Sequence, residues 1–338
     1  MESQKNRGVI LMNLGSPSST SVKDVRHYLR EFLMDERVID SPYLLRALLV
    51  KGIITPFRAP KSAEAYRAIW TKDGSPLVAI THRLREALMQ QIDEPVEIAM
   101  RYGLPSMKAA YERLLSSHPT LSEVILCPLY PHYAMSSFET AVEHGKAVYA
   151  KGNYPFIIKT VPPFYNDSGY IEALSESIRP YLNGKSHLLF SYHSIPERHI
   201  HKSDITGSHC LRSSSCCETP SPAHAHCYRH QCFATTHLVA KHLGITDFSV
   251  SFQSKLGRSE WLKPATTARM EQMPQEGIKD LLVVCPSFVS DCLETLEEIA
   301  IREKENFMNA GGESFTFIPC MNVQPLWIKS LIALIGRQ

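Results

Sequence analysis

The chain has 338 residues, 44% of them hydrophobic and 21% charged, with a formal net charge of +2. That is ordinary globular composition, long enough for two domains, and so small a charge with no basic run gives no electrostatic case for nucleic acid. No segment approaches the roughly 18 uninterrupted apolar residues of a membrane span, and the polar start from Met1 to Gly8 has no signal-peptide core, so the expected compartment is the cytoplasm. There the nine cysteines are not expected to form a disulfide framework.

Short apolar runs alternate with longer stretches of helical period, the pattern of parallel sheets covered by helices. In the first half, strands are expected at Val9–Leu14, Val96–Tyr102, Val124–Tyr130 and Phe156–Val161. In the second half they are expected at Leu188–His193, Phe248–Ser254, Leu281–Phe288 and Ser314–Pro319. After the first strand, Ser21 followed by Asp24 resembles a capping box, and Val22, Val25, Leu29, Phe32 and Leu33 keep one apolar helix face. The run from Tyr43 to Ile54 is strongly apolar with two cations; it reads either as a buried helix or as a lip that touches a bilayer. The C-terminal run Leu326 to Ile335 reads as an amphipathic closing helix.

The halves echo each other. The first strand of each ends in a turn with proline, Asn13-Leu14-Gly15-Ser16-Pro17 and Tyr192-His193-Ser194-Ile195-Pro196. The third ends in Cys127-Pro128 and Cys285-Pro286, and an acidic-Thr pair follows each, Glu139-Thr140 and Glu294-Thr295. Two copies of one α/β unit are expected, residues 1–170 and 171–338, with the boundary near residues 165 to 180. Ligands of open α/β sheets bind beyond the carboxyl ends of the strands, and a cleft between the two halves is the expected site.

Two segments carry candidate chemistry. His193 follows an apolar strand just before a Ser-Ile-Pro turn, where an imidazole can accept protons or simply bond the backbone. The segment Ser290-Asp291-Cys292-Leu293-Glu294-Thr295-Leu296-Glu297-Glu298 is expected to open a helix capped by Ser290 or Asp291. Helical spacing would then place Asp291, Glu294 and Glu298 in one strip. Such a strip can hold a divalent cation or pass protons, or it can merely be a solvated N-terminal face.

These segments resemble ferrochelatases. Phe190-Ser191-Tyr192-His193-Ser194-Ile195-Pro196 is similar to the family segment with its active-site histidine, and Ser290 to Leu296 to that with its active-site glutamate. The resemblance runs nearly end to end and in family order. It takes in Leu11 to Pro17, Tyr66 to Trp70 with Gly74 to Leu77, Arg101-Tyr102-Gly103, Tyr130-Pro131-His132-Tyr133, Phe252 to Lys255 and Trp261 to Pro264. It implies two Rossmann-like, chelatase-type domains that insert Fe2+ into protoporphyrin IX, the last step of haem biosynthesis, by gripping the macrocycle out of plane. Coproporphyrin III as substrate, or a non-catalytic porphyrin or haem carrier, are the alternatives; a chelatase for another tetrapyrrole fits the motif pairing less well.

Under this resemblance His193 receives the pyrrole protons and Glu294 faces it, while Asp291 and Glu298 extend a path for protons or metal. Leu14, Arg101, Tyr102, Tyr130 and Trp261 are the implied porphyrin contacts, with the Arg101 fork suited to a propionate. Cys292 stands where many members carry histidine, and it is read as a small buried residue rather than a soft metal ligand.

Between residues 199 and 232 the chain carries Cys210, Cys216, Cys217 and Cys227. The spacing C-x5-C-C-x9-C does not match a zinc ribbon, and four thiolates suit a [2Fe–2S] cluster as well as zinc. Some bacterial ferrochelatases resemble this chain in holding a [2Fe–2S] cluster in such an insert, which favours that reading over zinc or no metal. Resemblance also favours the lip reading of Tyr43 to Ile54, hence peripheral contact with the inner membrane, and a monomer.

Overall fold

The apolar runs form eight parallel strands among the described residues of the computed structural model, which covers residues 6–255 and 259–338. Strands β1 (Arg7–Asn13), β2 (Val96–Met100), β3 (Glu123–Pro128) and β4 (Ile157–Thr160) make one sheet, in the order β2-β1-β3-β4. Strands β5 (His187–His193), β6 (Phe248–Gln253), β7 (Asp280–Val284) and β8 (Ser314–Phe317) make the other, in the order β6-β5-β7-β8. β1 and β5 are each paired on both sides and buried along almost their whole length. That is why they read as continuous apolar runs, Val9 to Met12 and Leu188 to Phe190, rather than as an alternation. β7 stops at Val284, short of the expected Phe288, because Pro286 has no N–H to give a ladder.

Each sheet centres its own unit: residues 6–129, 135–162 and 331–338 form one, residues 130–134 and 163–330 the other. The sequence reading had drawn a single cut after residue 170. Matching detail supports the duplication. An N–H near the end of each second strand donates to a proline carbonyl beyond it, Met100 to Pro105 at 2.7 Å and Phe252 to Pro264 at 2.8 Å. Parallel bridges Met100–Ser106 and Phe252–Ala265 accompany those bonds.

The expected helix after β1 spans Val22–Leu33 and buries Val25, Tyr28, Leu29 and Leu33. Ser21 caps it by accepting from the Asp24 N–H at 3.1 Å. The reciprocal half of a capping box is missing, because the Asp24 carboxylate accepts instead from the Ser19 hydroxyl at 2.6 Å. The closing helix runs Pro325–Gly336 and buries Trp327, Ile328, Leu331, Leu334 and Ile335, at helical spacing. In the second unit Leu189, Leu281 and Val283 pack with Met270, Ile299 and Phe307 in one core. Among the described residues no helix is long and apolar enough to cross a membrane.

Candidate active site

His193 is the last residue of β5, so its imidazole sits at the carboxyl end of the central strand. Its Nδ1 lies 2.6 Å from the carbonyl oxygen of Ser194. A carbonyl can only accept, so this bond assigns the ring proton to Nδ1 and leaves the Nε2 lone pair of the neutral ring to take up a proton. The edge of the Phe288 ring faces the imidazole, with centroids 6.2 Å apart.

The acidic segment after β7 opens a helix at Glu294–Glu303 of π type, a wide turn frequent at functional sites. Asp291 precedes this helix instead of capping it, so the expected strip of three acids is a pair. The Asp291 carboxylate is spent on structure: it accepts from the Thr295 hydroxyl at 3.1 Å, the Cys320 N–H at 3.2 Å and Asn322 Nδ2 at 2.7 Å.

Glu298 is buried, and the Ser254 N–H donates to its Oε1 at 2.8 Å while the Ser254 hydroxyl donates to Oε2. Burial pushes this carboxyl up; the Ser254 bonds, His193 and Arg302 oppose the rise, and Glu294 adds to it. Glu298 therefore has His193 and Glu294 as electrostatic neighbours, which gathers an imidazole and two carboxylates into one group. The half-buried Glu294 is held by its own carbonyl, which accepts from Gln253 Nε2 at 2.9 Å. Gln253 is fixed in turn by the Ser191 hydroxyl at 2.8 Å. Groups so placed can accept a proton on nitrogen and hand it to an acid of raised affinity. Cys292 is buried, and burial, with Glu294 beside it, raises its thiol well above the ordinary range; it is small and buried as expected, but it neighbours the Glu294 carboxylate.

In the first unit the loop after β1 lies against the end of β2. The Arg101 and Tyr102 N–H groups donate to the Asn13 and Leu14 carbonyls at 2.8 and 2.9 Å. Gly15, at φ +101°, permits this approach, since a Cβ there would sit 1.8 Å from the Tyr102 carbonyl oxygen. Leu14 is half-buried on this loop. Arg101 already has partners: Nη2 pairs with Asp35, Nε donates to the Thr140 hydroxyl at 2.8 Å, and its guanidinium lies 4.4 Å over the Tyr102 ring. Tyr102 is 0% exposed, with its hydroxyl on Asp35 at 2.9 Å, so this ring lines no open surface. In the second unit Tyr130 is buried, and Trp261 is half-buried and bridged to Pro196.

Asp35 and Thr140 had no sequence signal of their own. The acidic-Thr echo was the usable hint, because Thr140 bonds Asp35 as Thr295 bonds Asp291. Burial alone would raise the Asp35 carboxyl, but bonds from Thr140 and the Arg37 N–H, with Arg101 and Tyr102, hold it below its ordinary value. Asp35→Asn is expected to cost about 3 kcal/mol at neutral pH, since it leaves Arg101 buried beside no counter-charge. A depressed carboxyl stabilises the fold above its unfolded pKa of about 3.9 and loses that advantage as pH falls through the folded value. Urea midpoints of variant and parent should therefore converge on acidification; a gap that stays constant with pH would refute the charge argument.

A sequence model of the ferrochelatase family matches residues 6–338. Ferrochelatases of Opitutus terrae and Ectopseudomonas mendocina are 50% and 47% identical, over 96% and 98% of each chain. The chain belongs to the ferrochelatase family. Among solved structures, SirB from Bacillus subtilis with Fe3+ aligns at a TM-score of 0.54 and 10% identity, covering 98% of this chain and 95% of that one. The sirohydrochlorin chelatase SirB of the spizizenii subspecies, in complex with cobalt, aligns at 0.53 and 8%, covering 98% and 94%. At those identities the likeness speaks for the fold alone.

Two further features of this ferrochelatase-family chain follow from its insert and its surface. The insert is organised by Asp204, whose Oδ2 accepts from the His209 and Cys210 N–H groups at 2.9 and 2.8 Å. Thiols of Cys210 and Cys217 each hydrogen-bond with Cys227, and Cys217 also with Cys216. Arg229 Nη1 donates to Cys217 Sγ at 3.1 Å, and the Leu211 N–H to Cys216 Sγ at 3.4 Å. All four cysteines are free, and burial pushes Cys210 up to about 11. Among the described residues no three His, Cys, Asp or Glu side chains converge at metal-ligand spacing.

The apolar run after Pro42 is helical, and Tyr43, Leu44, Leu45, Leu48 and Ile53 are all more than half exposed, as is Phe57 beyond it. Its two cations part ways. Lys51 is exposed, whereas Arg46 is buried and its Nη1 donates to the Ile39 and Ser41 carbonyls at 3.1 and 2.9 Å.

Proposed function

We propose that this chain inserts Fe2+ into protoporphyrin IX to give protohaem, with His193 as the acceptor of pyrrole protons. The observation that carries the reading is the Nδ1 bond to the Ser194 carbonyl, which leaves Nε2 as the basic nitrogen in a group with Glu294 and Glu298. Free porphyrin holds two pyrrole N–H groups. Metalation replaces both protons with one Fe2+, so two protons must leave for each metal that enters. His193 takes them one at a time, and Glu298, whose buried carboxyl favours its protonated form, passes them on beside Glu294. Asp291 supports this path indirectly, by fixing Thr295 within the first turn of the acidic helix. Leu14, Tyr130 and Trp261 are the proposed porphyrin contacts. Arg101 and Tyr102 shape that wall from behind through Asp35, and this replaces the direct propionate contact expected of Arg101.

We also propose Cys210, Cys216, Cys217 and Cys227 as the set that would hold a [2Fe–2S] cluster, ahead of zinc. Four adjacent thiols on one insert, with Arg229 to balance anionic sulfur, support the donor chemistry. Binding would require all four to deprotonate and to turn from one another toward a common centre. A cluster there would be structural or regulatory, because metalation transfers no electrons. The exposed apolar side chains from Tyr43 to Phe57 support a lip that rests on a membrane surface, where a poorly soluble porphyrin is available. With Arg46 tied to the backbone, Lys51 is the cation of that run left to meet headgroups.

One anaerobic sample tests these readings. Native protein with Fe2+ and protoporphyrin IX should turn over, with coproporphyrin III slower. The same protein as purified should show visible charge-transfer absorption and about two irons per chain, both lost in Cys217→Ser. Porphyrin binding without turnover would make the chain a carrier, and a colourless, iron-free protein would overturn the cluster.

A further inference from the structure

The backbone of His193 is held on both sides by side-chain hydroxyls. Its N–H donates to Ser287 Oγ at 3.1 Å. The Tyr228 hydroxyl donates its one proton to the His193 carbonyl oxygen at 2.8 Å. The three residues come from three elements: the end of β5, the loop after β7, and the start of the helix Tyr228–Leu243. The tyrosine is 4% exposed and its ring meets the edge of His132, with centroids 5.9 Å apart, so its hydroxyl has little freedom to leave.

We propose that Tyr228 is a positioning residue for the metalation reaction, holding the proton-accepting imidazole of His193 through that residue's own peptide. The inference rests on the reading of His193 given above. The physical reason is the short lever between peptide and ring. The imidazole is itself tied to the next peptide through Nδ1 and the Ser194 carbonyl. A rotation of the His193 carbonyl is a rotation of the peptide it shares with Ser194, and it tilts Nε2 away from the path of a pyrrole proton. Proton transfer is steep in such geometry, so a small tilt lowers kcat while leaving porphyrin binding alone. The Tyr228 bond also ties His193 to the cysteine insert, because Tyr228 directly follows Cys227.

The test is Tyr228→Phe, which keeps the buried ring and deletes the donor, beside Ser287→Ala, the double variant and His193→Ala. Tyr228→Phe is expected to lower kcat about tenfold with KM for porphyrin within about twofold. It should also shift and broaden the His193 Cε1–H proton resonance in the holoprotein. Since both bonds hold the backbone of the same residue, the double variant should lose less than the product of the two single losses. Should Tyr228→Phe fail to fold, Ser287→Ala carries the same expectation on a half-buried side chain.

A folded variant with unchanged kcat and an unchanged His193 resonance would overturn the role of Tyr228. Additive losses in the double variant, or a loss confined to KM, would overturn the two backbone bonds as a positioning device. A His193→Ala protein that still metalates would instead bring down the proton-acceptor reading itself, a result distinguishable because the resonance measurement needs no turnover.

Discussion

His193→Ala is expected to lower kcat for Fe2+ insertion by about a thousandfold, within the range a positioned acid or base contributes. KM for porphyrin should stay within about threefold. The split follows from what the side chain does. On the proposed reading the macrocycle is gripped by apolar contacts that the substitution leaves intact, whereas Nε2 takes the proton. Stability should change little, because the half-buried imidazole has one hydrogen bond, to Ser194. Steady-state rates with porphyrin titrated at saturating Fe2+ check it. A variant whose kcat falls less than tenfold would move the accepting role to another group. External imidazole that restores part of the rate would tie the loss to the missing base.

Glu294→Gln is the second large effect, with kcat lowered about a hundredfold. Glutamine keeps the length and the amide can still meet polar neighbours, so the variant isolates the charge. The Glu294 backbone anchor, its carbonyl on Gln253, is untouched by the change. Two consequences follow from the carboxylate pair. Removing the Glu294 charge removes one of the forces that raise Glu298, so Glu298 should give up its proton at lower pH. The acidic limb of the kcat profile should then move toward lower pH as the maximum falls. A variant with normal kcat, or with an unmoved acidic limb, would separate Glu294 from the proton path.

Much of this architecture was legible before any coordinates. The central strands carry apolar runs, Val9 to Met12 and Leu188 to Phe190, and hydrophobic burial on both faces leaves a central parallel strand little choice of composition. The family and the pairing of a strand-end histidine with an acidic helix were equally legible, since local motifs preserve order along the chain. The four clustered cysteines were visible as a group because they lie within one short insert.

Tertiary structure decided what depends on partners distant in sequence. Asp291 left the acidic strip because Cys320 and Asn322, some thirty positions away, offer its carboxylate better hydrogen bonds than a helix N-terminus would. Arg101 was taken by Asp35, 66 positions earlier, since a buried carboxylate claims the nearest guanidinium. The partners of Ser254, Ser287 and Tyr228 were not legible: a hydroxyl in a sequence says nothing about which carbonyl or carboxylate it will meet. The sequence by itself determined the fold and the family and pointed to the candidate reactive groups, because these follow from apolar periodicity and contiguous motifs. The protonation, orientation and pairing of those groups came from contacts across strands, where burial and hydrogen bonding set the energy of each charge.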